Sequence, residues 1–143
     1  MNKELLCIFF LTTIFCFISY LCVYKSLKIY DDPILTKVRE DLTKVYPNFP
    51  NLGVSLFAAN DSFTENKKKI FLCVKKPNKD YYKYNTIMYI ALHELAHVLT
   101  KKYDIDTHGE EFHKSFNELI KRAKEVGVYD ETNELDYDYC GTE

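Results

Sequence analysis

Two histidines four residues apart bracket a glutamate in His93-Glu94-Leu95-Ala96-His97, and no other feature of the chain constrains its fold as tightly. Residues four apart share one face of an α-helix, so both imidazoles aim at one point and Glu94 lies beside them. H-E-x-x-H on a helix is the first half of a zinc-hydrolase site, with the glutamate as general base. Catalytic zinc takes three protein ligands and keeps one position for water. The motif therefore demands a third ligand from another segment of the chain.

Downstream of the motif, His108, Glu111, His113 and Glu118 all have ligand chemistry. Glu118 follows His97 after 20 intervening residues, a gluzincin-like interval. His108 stands in a turn just ahead of the next helix, from which an imidazole can swing back over the motif helix. His113 falls one turn into that helix and reads as a surface histidine. A metzincin arrangement is excluded, because no Gly and His follow His97 at the H-x-x-G-x-x-H spacing.

The motif sits in a chain of alternating strand and helix signals. Pro33 opens a segment, residues 34–46, with Ile34, Leu35, Val38, Leu42 and Val45 at helical spacing, and Pro47 and Pro50 close it. Residues 54–58 and 69–74 have strand character, the second being the stronger through Ile70, Phe71, Leu72 and Val74, and they are expected to be antiparallel or mixed-sheet neighbours. Asn85 is suited to cap the motif helix, which should run from Thr86 to about Lys101. Glu110 to Val126 carries an apolar stripe of Phe112, Phe116, Leu119, Ile120, Ala123 and Val126 and stops at Gly127. Beyond Tyr129 an acidic, Tyr-rich tail is expected to pack in extended form.

The run from Leu5 to Tyr24 holds 20 residues without a charge. At about 1.5 Å per residue this is enough for the roughly 30 Å hydrocarbon layer, and no A-x-A-like cleavage site follows it. Residues 1–28 are thus expected to be a single transmembrane anchor, with the membrane as partner of residues 5–24, and 29–143 the functional domain. The orientation is undetermined, since Lys3 flanks one side and Lys25 and Lys28 the other.

Net charge is -2, but residues 25–103 carry 14 Lys/Arg against 8 Asp/Glu and residues 104–143 carry 4 against 12. The basic stretch Lys67, Lys68, Lys69, Lys75, Lys76 and Lys79 reads as a solvated hairpin face, so no nucleic-acid partner is expected. It has no stacking platform beyond Tyr81 and Tyr82. Cys73 and Cys140 have no C-x-x-C spacing and form either one disulfide or two buried thiols.

His93-Glu94-Leu95-Ala96-His97 followed by His108-Gly109-Glu110-Glu111-Phe112 resembles the HExxH and H-x-x-x-F pattern of WLM and SprT-like zincin peptidases. The resemblance spans roughly Ile70 to Val126 and is closest to small membrane-anchored WLM-type proteins of large DNA viruses. It implies that His108 is the third zinc ligand and that Phe112 packs the following helix beneath the site. The interval between His97 and His108 is nearer to SprT-like spacing.

The expected fold is an α+β zincin-like domain after a transmembrane helix, with a small mixed sheet, an active-site helix and a following amphipathic helix. The expected activity is zinc-dependent hydrolysis of a protein or peptide substrate, with Zn2+ on His93, His97 and His108 and Glu94 as base. Two rivals are a catalytically silent, zinc-stabilised structural or interaction protein of a viral membrane, and a DNA-associated peptidase. The residue 70–74 strand could receive an extended substrate by edge addition, or be a plain core strand.

Overall fold

Strand pairing in this chain is set by which side chains can be hidden on one face. In the computed structural model, which describes residues 3–23, 28–100 and 108–141, four strands form one mixed sheet. They are β1 (Ile29–Tyr30), β2 (Ser55–Ala59), β3 (Phe63–Glu65) and β4 (Lys69–Cys73), in the order β1-β2-β4-β3. The register sets Leu56 beside Ile70 and Ala58 beside Leu72. All four are buried, and they belong to the core shared with the helices. The other face carries a ladder of Phe57, Phe71 and Phe63, with ring centroids 5.2 and 4.5 Å apart.

The two expected strands are neighbours, shifted by about a residue from the expected bounds, and they pair parallel. That direction depends on β3. The chain leaves β2, runs up the far side of the sheet as β3, and turns back into the slot between them as β4, antiparallel to β3. Asn66 and Lys67 both have positive φ, 50° and 55°, and the Lys68 N–H donates to the Glu65 carbonyl at 3.0 Å. Two successive left-handed residues match the twist of a hairpin. Lys67 and Lys68 thus belong to the turn and Lys69 to the start of β4, while Lys75, Lys76 and Lys79 lie beyond that strand.

Helix α1 covers Lys3–Val23, α2 Ile34–Val45, α3 Tyr84–Leu99 and α4 Glu110–Glu125. No helix among the described residues is long and apolar enough to cross a membrane. The expected anchor, the fold class that included it and the single-pass location built on it are corrected accordingly: the described fold is α+β with a small mixed sheet. Helix α1 does form over most of the uncharged run. Tyr24 lies outside the described residues.

The remaining helices follow their apolar stripes. Helix α4 buries Phe112, Leu119 and Ala123 and ends where Gly127 takes φ +73°. There the Val128 N–H reaches back to the Ala123 carbonyl at 3.0 Å, the bond that closes a left-handed helix terminus. Helix α2 buries Val38, Leu42 and Val45 and, against the usual rule for carboxylates, Asp41. Lys37 at 2.8 Å, Lys44 at 2.6 Å and the Tyr84 hydroxyl at 2.6 Å all donate to Asp41, which straps α2 to the start of α3.

Asn85 does not cap α3. The residue at the cap is Lys83, which has no side-chain cap bond, and Asn85 lies inside the first turn with its amide turned to the tail. Asn85 Nδ2 donates to the carbonyls of Asp130 and Asn133, and Asn85 Oδ1 accepts from the Asp130 N–H. The cap role passes to Asp136, whose Oδ2 accepts from the Lys83 N–H at 2.8 Å and from Thr86 Oγ1 at 3.0 Å. Tyr82 then donates to the Asp138 carbonyl and accepts from the Cys140 N–H. A Cys73–Cys140 disulfide, Cα atoms 6.2 Å apart, locks the end of the tail to the end of β4. The acidic tail is thus a strap across the helix start.

Burial alone would push the Asp41 carboxyl up, but the hydrogen bonds from Lys37, Lys44 and Tyr84 outweigh it and hold it at about 2. A depressed carboxylate contributes stability that is present above its unfolded value near 3.8 and is lost as pH falls toward 2. Asp41→Asn should cost about 2 kcal/mol in urea denaturation at pH 7 and flatten the stability profile between pH 4 and about 2. The disulfide closes a loop with a sequence separation of 67, so Cys140→Ser should cost about 2–4 kcal/mol in the same assay.

Candidate metal centre

Helix α3 divides cleanly into two faces. Ile87, Ala91, Leu92 and Leu95 are fully buried against the sheet and α2, which turns His93 and His97 to the opposite, half-buried side. Helix α4 packs there, and the turn that begins it brings in His108. The Nε2 atom of His93 lies 3.3 Å from that of His97 and 3.1 Å from that of His108. Ligand atoms of all three fall within 4.8 Å of one another. Two zinc–nitrogen bonds of about 2.0–2.1 Å at a tetrahedral angle place their nitrogens roughly 3.3 Å apart, so the donor set fits such an ion.

Phe112, 2% exposed, forms the floor. Its ring centroid is 4.9 Å from His93, 4.5 Å from His97 and 4.7 Å from His108. Burial, and then the neighbouring His97, His108 and His113, push the His93 imidazole down to about 4. Burial, His108 and Lys67 lower His97 in the same way. Both rings are therefore neutral at pH 7, with a lone pair available to a cation.

Glu94 is on the sheet side of α3 and only 6% exposed. Thr64 of β3 donates its hydroxyl to Glu94 Oε2 at 2.8 Å, with the Glu94 main-chain oxygen at 3.0 Å from the same Oγ1. Burial raises the carboxyl to about 7, the Thr64 bond opposes this, and the charge of Asp61 adds to it. A carboxyl poised near neutrality beside two imidazoles has the protonation range a general base needs.

Of the four downstream candidates, the structure brings only His108 to the pair. Glu111, His113 and Glu118 are exposed on α4 and do not join the group. Strand β4 lies between β2 and β3, which leaves no side for an added strand; the sheet edge beside Glu94 is β3. Sequence reasoning missed Thr64 and β3 itself, since three residues are too few to display a period of two. Among the basic residues, Lys69 pairs with Glu65, Lys75 with Asp32 and Lys76 with Asp136.

An H-E-x-x-H helix, a third histidine from the next helix's opening turn and a small mixed sheet define the class: an α+β domain with a candidate three-histidine metal centre. Residues 38–138 match the family model of the WLM domain, and the chain belongs to that family. It is 43% identical over 82 residues to an uncharacterized protein of Invertebrate iridescent virus 6, covering 55% of this chain and 44% of that protein. A protein of Invertebrate iridescent virus 3 is 41% identical over 81 residues, 56% of this chain and 49% of its own length. One from Acanthamoeba polyphaga mimivirus is 38% identical over 87 residues, 56% and 41% respectively. The matched stretch thus spans less than half the length of these relatives. No solved structure matches.

Removing one of the three converging imidazoles should be felt far more than removing an exposed bystander. His108→Ala is expected to weaken zinc binding by about 100-fold or more in competition with a chelating dye, while His113→Ala and Glu118→Ala should bind within about threefold of the parent.

Proposed function

We propose that this WLM domain is a zinc-dependent peptidase, with zinc held by His93, His97 and His108 and Glu94 as general base. The observation that carries the reading is the meeting of three imidazole nitrogens, at 3.1 and 3.3 Å, next to a buried carboxyl on the same helix. A zinc ion at that point would polarise a carbonyl and lower the pKa of water there. The chain's own groups would do the rest.

An extended protein or peptide segment would pair with the β3 edge through its main chain, which gives affinity with little demand on sequence. That edge runs past Glu94, because Thr64 of β3 contacts it directly. Glu94 then takes a proton from the attacking water and returns it to the leaving amine. Phe112 keeps the side of the imidazoles facing α4 dry.

Zinc-loaded protein should cleave unstructured casein, lose this activity on treatment with a chelator and regain it with added zinc. Glu94→Gln should retain one zinc per chain by elemental analysis while cleavage falls by about 100-fold to 10,000-fold. Zinc binding with no cleavage by the parent protein would instead assign the domain a structural or interaction role.

A further inference from the structure

We infer that Thr64 is a positioning residue for the base, acting through Glu94 and resting on the peptidase reading above. Its Oγ1 lies 2.8 Å from Glu94 Oε2 and 3.0 Å from the main-chain oxygen of the same residue. One hydroxyl carries one hydrogen, so only one of these contacts is a full donation at a time. With Glu94 ionised the carboxylate is the stronger acceptor. The bond engages Oε2 and leaves Oε1 as the oxygen that meets the water.

This constraint has work to do. The terminal torsion of a glutamate is broad and nearly two-fold, so burial alone does not decide which oxygen faces the reaction or how the carboxylate plane is turned. Thr64, in contrast, is stiff. It is β-branched, its strand is paired in register with Thr64 opposite Ile70, and Ile70 is fully buried. The strand thus hands its rigidity to the carboxylate through one hydrogen bond. During turnover the water oxygen bonds to the peptide carbonyl carbon as its proton leaves for Oε1, and that proton passes from Oε1 to the amine nitrogen as the C–N bond breaks. Thr64 keeps its own hydrogen throughout, and the nearby main-chain oxygen gives that hydrogen a second acceptor while Glu94 is neutral.

The same geometry ties the base to substrate capture. Thr64 is the middle residue of the three-residue edge strand, so main-chain pairing of an extended segment with β3 and orientation of Glu94 depend on the same element. A merely structural threonine would be replaceable by the isosteric valine, whereas a positioning hydroxyl would be replaceable by serine.

The test compares the full zinc-loaded chain with Thr64→Val, Thr64→Ser and Glu94→Gln, using fluorescent casein and the carboxyl carbon resonance of Glu94, identified by its absence in Glu94→Gln. Thr64→Val should lower kcat by about 10-fold to 100-fold with KM within about twofold and zinc content unchanged, and Thr64→Ser should recover most of it. The Glu94 carboxyl resonance should move in Thr64→Val and return in Thr64→Ser. An unaltered kcat and an unmoved resonance in Thr64→Val would overturn the inference, as would equal losses in both variants. If the parent chain binds zinc but cleaves nothing, the peptidase reading fails by itself, and the carboxyl resonance still decides whether Thr64 holds Glu94.

Discussion

The ring of Phe112 is the contact on which the site depends. Three imidazoles on two elements converge only if α4 approaches α3 at one depth and one rotation, and a flat, buried ring touching all three within 4.9 Å enforces both. Full burial of a phenylalanine is worth roughly 1.5–3 kcal/mol, more than any single exposed polar contact on this surface provides. The stack continues along α4 with Phe116, 5.8 Å away, whose ring meets His93 edge-on and also Tyr89. An apolar spine therefore sets the geometry of the three imidazoles.

The side of α3 that meets β3 is organised by polar contacts. Strand β3 is short and lies at the sheet edge, yet Thr64 reaches Glu94, and Ser62 just before it accepts the Cys73 N–H and bonds the Tyr139 hydroxyl at 2.6 Å. Burial raises the Tyr139 phenol well above its usual range, so the hydroxyl stays protonated in this bond. Glu94, edge strand, disulfide end and tail are joined in one run of neighbours. The two sides of α3 differ physically: the His93 and His97 imidazoles are neutral and packed on an aromatic ring, while the Glu94 carboxyl is buried and held by one directed bond from Thr64.

How much of this was legible in the sequence follows from how local each feature is. Helix α4 was readable from its stripe and from Gly127, because both signals lie within one or two turns. The motif made His93, Glu94 and His97 stand out, and the H-x-x-x-F pattern drew His108 and Phe112 to them. Strand β3 was not readable, and without it the parallel pairing of β2 and β4 was not either, since pairing direction is decided by where the chain goes between strands. Thr64 had no local mark at all. The Asn85 cap failed by the same logic, because the group that serves α3 is Asp136, 50 residues from Thr86. The uncharged run announced a helix, and α1 is one, but hydropathy along the chain did not establish a membrane span.

One carboxylate of the acidic tail has a defined structural use, at the start of α3. Helix α3 starts with unsatisfied N–H groups and the positive end of its dipole, a place where a carboxylate is stabilised. The sequence offers no acid in the first turn of α3 itself, and Asp136 fills the need from outside, aided by an ion pair with Lys76 at 3.1 Å. Hydrogen bonds hold the Asp136 carboxyl below the ordinary range despite its burial, so it stays charged through neutral pH. A distant cap is weak by entropy, because it must be held in place, and the Cys73–Cys140 bond removes much of that cost by fixing the tail four residues beyond Asp136. The helix that bears His93, Glu94 and His97 is thereby restrained at its start by the tail and farther along by β3 and α4, which fixes the directions of its side chains before any ligand arrives.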